Sequence, residues 1–408
     1  MSSITLSVLR KYVHWVSIVV IIAATTGFTQ KDYGVHDPSG MVRENDRYYT
    51  FYTSKGIEYA YSTDLCTWHL GGKIFSAAFP SWITAQVSGF DGNFWAPQVF
   101  FMNGLWHVYY SCSTFGSRVS AIGLATSPSL KNPDWQDRGM VVSTNNSSDH
   151  NAIDPAVLMY DGRVWLVFGS FWKGIVMTEL DSLTGKPIKN STLSYLANND
   201  PEAAFLIHHD TWYYLFFNRG KCCNGVNSTY YICVGRAEEV TGPYLDKNGK
   251  KTGAGGGTVL LESQGRFIGP GHFGYLADSG REYMSYHFYD RDKNGASKLR
   301  ISTISWKDGW PVIETGFDAC NPVATGTLYV NIGRSATIPE TDFQCNGVKI
   351  NGTVRIYSLS GRLLAAVGPV ENKTGGDLRQ QIRSVAAGNS VVVLTNGTGT
   401  GTSLVKVW

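Results

Sequence analysis

The chain has 408 residues, enough for one large domain or two and for a sizeable core. Aromatic residues make up 13% and charged residues 16%, which excludes a disordered chain and suits a β-rich protein better than a helical bundle. The net charge of +3 comes without basic runs, so neither nucleic acid nor an anionic membrane surface is an expected partner.

Residues 1–29, "MSSITLSVLRKYVHWVSIVVIIAATTGFT", set Arg10 and Lys11 before an apolar stretch and a cluster of small residues. That is the layout of a secretory signal peptide, and its cleavage would release a secreted, extracellular protein with no membrane attachment. A retained signal anchor is the alternative, because the apolar part is only slightly short of a membrane span. Sequons at Asn145, Asn146, Asn190, Asn227, Asn351, Asn372 and Asn396 fit a secretory route. Seven cysteines in an oxidising compartment should pair in part and leave at least one over. None has zinc spacing, and the vicinal Cys222-Cys223 is read as a local structural feature, with a reactive thiol pair as the alternative.

From residue 30 a unit recurs. It begins at Asp37 in "VHDPS", at Trp95 in "WAPQVFF", at Asp154 in "NAIDPAV", at Glu202 in "EAAFLIHH" and at His272 in "GPGHFG". In each unit an apolar strand leads to a polar turn, and a second strand of alternating aromatics follows: "YYTFYT", "WHVYYS", "VWLVFGS", "WYYLFFN", "YMSYHFY". Such alternation is the period-2 mark of sheet with distinct faces. A third strand follows in most units. Three or four antiparallel strands repeated five times predict an all-β, five-bladed β-propeller over residues 30–320. Separate sandwich modules are the competing picture, but units this short cannot bury cores of their own. The Gly-rich "DKNGKKTGAGGGT" reads as a flexible insertion without the context of a phosphate loop. Residues 321–408, poor in Trp and rich in Thr, Gly, Val and Asn, predict a small C-terminal β-sandwich-like domain without visible chemistry.

In a propeller the innermost strands run along one channel, so the five unit starts converge on one opening. Asp37, Asp154 and Glu202 would then share a solvated pocket with Trp95 and His272. Grouped carboxylates beside an aromatic platform suit glycosidic bond cleavage: one acid protonates the leaving oxygen and a second carboxylate activates water or attacks. A third raises its neighbour's pKa by like-charge repulsion. Each residue also has a plain structural role open to it. An Asp before Pro starts turns, Glu202 fits a strand end, Trp95 a core, and His272 a satisfied polar site near a Gly turn. Their common position in five repeats favours the functional reading.

With these residues placed, the chain resembles glycoside hydrolase family 43, most closely its endo-acting α-1,5-L-arabinanases. "VHDPS", "FWAPQV", "SCSTFGSRVSAIGLATS", "NAIDPAV", "GSFWKGI", "EAAF", "KCCNGVNSTYYICVGRA" and "GPGHFG" carry the likeness in order, over roughly residues 33–315. The resemblance implies an inverting enzyme in which Asp37 is the general base, Glu202 the general acid, and Asp154 tunes and orients the acid. It implies substrate contacts from Asp37, Trp95, Gly116, Asn151, Ala152, Ile153, Asp154, Ser170, Phe171 and Trp172. It also implies a calcium ion (Ca2+) in the channel, held by His272 with water filling most of the shell. Arabinan would be the substrate and the protein a monomer. Ala204 stands where related enzymes often carry proline, which removes no functional group. An exo-acting arabinofuranosidase or β-xylosidase on the same scaffold is one rival. A non-catalytic carbohydrate-binding propeller is another, and its expected mark, a lost carboxylate, is absent.

Overall fold

The computed structural model describes residues 31–318 and, beyond them, four strands near the C-terminus. Residues 1–29, read from the sequence as a signal peptide, lie outside the described residues. Five antiparallel sheets follow one another along the chain, four of them four-stranded and the second five-stranded, each a simple meander. Blade I comprises Val42–Glu44, Arg47–Tyr52, Glu58–Ser62 and His69–Lys73. Blade II comprises Asn93–Met102, Leu105–Cys112, Ser120–Ser127 and Gln136–Thr144, with the short strand Ser54–Lys55 laid beside its first member. Blade III runs from Ala156–Tyr160 through Arg163–Phe168 and Ile175–Leu180 to Ser194–Ala197. Blade IV contains Glu202–His209, Trp212–Arg219, Tyr231–Ala237 and Thr258–Leu261. Blade V contains Phe267–Asp278, Arg281–Asp290, Ala296–Lys307 and Trp310–Asp318. The predicted propeller is therefore the observed fold.

The alternating aromatics do not divide into a core face and a solvent face. In blade II, Leu105–Cys112 and Ser120–Ser127 are buried on both faces, and only the outermost strand is largely exposed. Each inner strand is sandwiched between neighbouring blades, so its two faces feed two different cores. Tyr110 joins Tyr49 and Phe51 of blade I, whereas Tyr109 joins Leu166 and Phe168 of blade III. Five such cores fill the five seams, the last closing blade V onto blade I through Tyr283, Ile301, Tyr52 and Ala60. In the seam between blades IV and V, Phe216 and Phe273 lie parallel with ring centroids 3.8 Å apart. The segment before Asp37 helps latch the ring, its Tyr33 carbonyl accepting from Leu299 N–H in blade V at 2.8 Å.

The Gly-rich stretch is not slack. The Asp246 carboxylate accepts from the N–H groups of Asn248, Lys250 and Gly257, and Thr252 is fully buried. In the C-terminal unit, from Val323 onward, the described strands Gly352–Ser358, Leu363–Val370, Ser390–Leu394 and Val405–Val407 form one antiparallel sheet. A sandwich needs two sheets; the rest of that unit lies outside the described residues.

Candidate active site

At the channel mouth every blade has one residue with left-handed backbone, a conformation uncommon outside glycine. They are Asp37, Ala96, Asp154, Ala203 and His272, with φ of 48°, 43°, 56°, 54° and 61°. Trp95 and Glu202 thus stand one position ahead of the residue that occupies the turn. Four of the five turning N–H groups are held by a side chain from the end of the preceding blade's second strand. Asp37 N–H donates to His287 Nδ1, Ala96 to Thr53 Oγ1, Asp154 to Ser111 Oγ, and His272 to Asn218 Oδ1, all at 2.9–3.1 Å. Those partners occupy one repeat position, so aligning the aromatic strands would have found them.

Asp37 is surrounded by cationic or polar groups. Its Oδ2 accepts from Thr53 Oγ1 at 2.7 Å and pairs with His36 Nδ1 at 2.8 Å. Its Oδ1 faces His272 Nδ1 at 3.7 Å and His287 Nδ1 at 3.6 Å. Burial opposes ionisation here, but His36, by its charge and its hydrogen bond, outweighs it and holds the carboxyl well below the usual carboxylate range. His36 feels the converse: burial pushes it down, and the Asp37 charge lifts it to about 10. The site therefore holds an ion pair. His287 accepts at Nδ1, so its proton sits on Nε2, a buried atom with no partner. Burial keeps that imidazole neutral.

Glu202 is placed oppositely. It is 7% exposed; its Oε2 accepts from Ser170 Oγ at 2.9 Å, and its Oε1 is buried without a partner. Burial, and to a smaller extent the Asp37 charge, raises its carboxyl to about 7 despite the Ser170 bond. Asp154, 9% exposed, accepts at Oδ2 from Ala203 N–H at 3.0 Å. Burial and then Glu202 push its carboxyl well above the ordinary range. The solvated pocket expected around all three acids is thus replaced, for two of them, by near-complete burial. That burial is why they retain protons.

The three acids open into a cleft of about 1130 Å³. Trp95, Gly116, Asn151, Ile153, Ser170, Phe171, Trp172 and His272, singled out from sequence, also line it. Ala152 does not. It is fully buried in the seam between blades II and III, and its N–H donates to Ser120 Oγ and Thr144 Oγ1, so it braces the segment and offers substrate nothing. Asn151 has a similar side role, its Oδ1 receiving the Ser170 N–H at 2.8 Å. Phe171 and Trp172 are pushed outward by two consecutive left-handed residues and remain 37% and 46% exposed. Sequence reasoning missed His36, Thr53, Phe115, Asp200, Tyr230 and Tyr289 in the lining.

Residues 32–311 match Glycosyl hydrolases family 43. The chain belongs to this family. The extracellular endo-α-(1→5)-L-arabinanase 1 of Bacillus subtilis is 40% identical over 285 residues, 68% of this chain and 87% of that one. The extracellular exo-α-(1→5)-L-arabinofuranosidase ArbA of Cellvibrio japonicus is 36% identical over 321 residues, 74% of this chain and 92% of that one. The structure of the Cellvibrio cellulosa α-L-arabinanase complexed with arabinohexaose matches with a TM-score of 0.67 at 35% identity, covering 70% of this chain and 96% of that one. The protein is accordingly a glycoside hydrolase with a family 43 propeller.

For the cation expected from the sequence, the donor set near His272 is narrow. Burial lowers the His272 pKa, and a neutral imidazole has one nitrogen lone pair to offer; its Nδ1 lies 3.7 Å from Asp37 Oδ1. One nitrogen and a nearby carboxylate fit an ion that keeps most of its ligands as water, with Asp37 accepting from such a water. The tighter group His36, Asp37 and His287 fits a cation less well. His287 Nδ1 already accepts from Asp37 N–H, and both nitrogens of His36 are engaged, by Asp37 and Tyr289.

Proposed function

We propose that this family 43 hydrolase is a secreted endo-arabinanase that cuts internal α-1,5-L-arabinofuranosidic bonds by single displacement with inversion. One observation carries the reading. Within one cleft Asp37 is held ionised while Glu202 keeps its proton to about 7, the split that an acid–base pair requires. Glu202 would protonate the leaving glycosidic oxygen while Asp37 takes a proton from the attacking water on the opposite face of the sugar. Ser170 orients Glu202, and Asp154, fixed to the backbone next to it, keeps the acid's surroundings reluctant to ionise. Trp95, Phe171 and Trp172 offer flat apolar faces to sugar rings. His272 would hold a calcium ion whose charge, when bound, steadies negative charge near the channel. The relatives' action on arabinan, and their description as extracellular, support the substrate and the secretion. The propeller would act as a monomer.

The exo-acting relative at 36% identity makes exo attack the second reading. Products released from linear arabinan separate the two: a spread of oligomers at early times is expected, and a single short product from the first minutes would favour exo attack. Anomeric configuration read by NMR in the same digest tests inversion. Binding without any turnover would return the protein to a carbohydrate-binding role.

A further inference from the structure

The vicinal Cys222-Cys223 has no part in the acid–base reading, yet both residues line the cleft and neither is in a disulfide. Cys223 is exposed, and its own backbone is left-handed, with φ of 60°. Its N–H donates to the Tyr289 hydroxyl at 2.7 Å, and its sulfur lies 3.9 Å from His36 Nε2. His36 contacts the same tyrosine at 2.7 Å and Asp37 at 2.8 Å. An accessible sulfur thus stands two contacts from the carboxylate that activates water. The other free thiols among the described residues, Cys112 and Cys233, are buried.

We propose that Cys223 is a thiol-modification site in the cleft wall, open to peroxides and small soft electrophiles, and that its modification stops turnover through His36 and by obstructing the sugar. The Cys222 thiol beside it, and then His36, hold the Cys223 thiol below its ordinary range, which supplies thiolate at neutral pH. With a peroxide, the sulfur attacks one oxygen, the O–O bond breaks, and the departing hydroxide takes up a proton as water. The sulfur loses two electrons and becomes a sulfenic acid. The Cys222 thiol then attacks that sulfur, the S–O bond breaks, and a second water leaves as the vicinal disulfide forms.

The loss of turnover rests on the hydrolytic reading above; the site of modification does not. The test treats the reduced full chain, and its C223S and C222S variants, with iodoacetamide or hydrogen peroxide at neutral pH. Peptide mass mapping and the rate on linear arabinan are followed together, each variant against its own untreated rate. Iodoacetamide is expected to label Cys223 about 10-fold faster than Cys222, with the wild-type rate falling in step and the C223S rate preserved. Peroxide should remove two hydrogens from the Cys222-Cys223 peptide of the wild type and add one oxygen to that of C222S. First labelling at Cys222, equal inactivation of C223S, or a fully labelled wild type with its rate intact would overturn the proposal. An untreated protein inert on arabinan would instead defeat the hydrolytic reading, while the mass map still decides the site.

Discussion

The carboxylate of Asp154 accepts the N–H of Ala203, the residue directly after Glu202, at 3.0 Å. In the other four blades that N–H is taken by the side chain ending the preceding blade's second strand. Blade III ends there in Gly169, which has no side chain to offer. Its φ of +107° and a Cβ position 2.6 Å from the Gly174 carbonyl oxygen both exclude one. With no side chain there, the N–H falls to Asp154 from across the seam, which sets Asp154 close enough to Glu202 for the Glu202 charge to raise its carboxyl further above the ordinary range.

Replacing Glu202 by Gln separates activity from stability. Hydrolysis should fall roughly 10²–10⁴-fold, the usual contribution of a general acid. The folded-state pKa of about 7 lies above the ordinary 4.5, so ionising Glu202 costs the fold about 3 kcal/mol once the pH exceeds 7 and nothing below 4.5. E202Q should therefore be the more stable protein in denaturant at pH 8 and show little gain at pH 4. Full activity in this variant would remove Glu202 from the reaction.

The pH profile of kcat/KM should be one-sided. Activity is expected to decline as pH rises through about 7, where Glu202 gives up its proton. No matching decline should come from Asp37 above about pH 4, because its partners keep it ionised. A flat profile to pH 9 would contradict the acid assignment.

His36 is the chief reason Asp37 stays ionised. In H36Q, His272, His287 and Thr53 remain, but burial gains the upper hand and lifts the Asp37 carboxyl. A new acid limb should enter the profile, with turnover falling as pH drops on the acid side and recovering toward neutrality. An unmoved profile would mean His36 merely packs against the site.

Ser170 acts on the acid. Its hydroxyl bond lowers the Glu202 pKa, and the other carboxyl oxygen already lacks a partner. S170A should thus shift the alkaline limb above 7 and lower kcat several-fold by loosening the carboxyl. A downward shift would reverse the account.

Trp172 should bind without reacting. Arg118 lies 4.8 Å from its ring centroid, and the indole remains part of the cleft wall. W172A is expected to raise KM about 10-fold while kcat changes little, the pattern for contacts made equally in ground and transition states. A kcat loss matching the KM change would point to a role in the chemistry.

Much of this was legible from residue order alone. Alternating aromatics in five units predict the blades, because a strand's side chains must alternate and five short units cannot bury themselves separately. Asp-Pro pairs marked two of the three acids. The pattern misled by one residue at Trp95 and Glu202. There the innermost strands slip register between Trp95 and Gln98 and between Glu202 and Phe205, and alanines take the turn. Ala152 was drawn into the substrate set by its neighbours in the motif, though its own direction is inward.

The periodic backbone, then, was written locally: hydrophobic alternation and turn residues act over a few positions and need no partner to be read. Protonation was not. Whether a carboxyl at the channel mouth is charged depends on burial and on groups such as His287, 250 residues from Asp37, that only blade closure brings within reach. Electrostatic energy depends on distance in space and on excluded water, and neither is defined until the ring has closed.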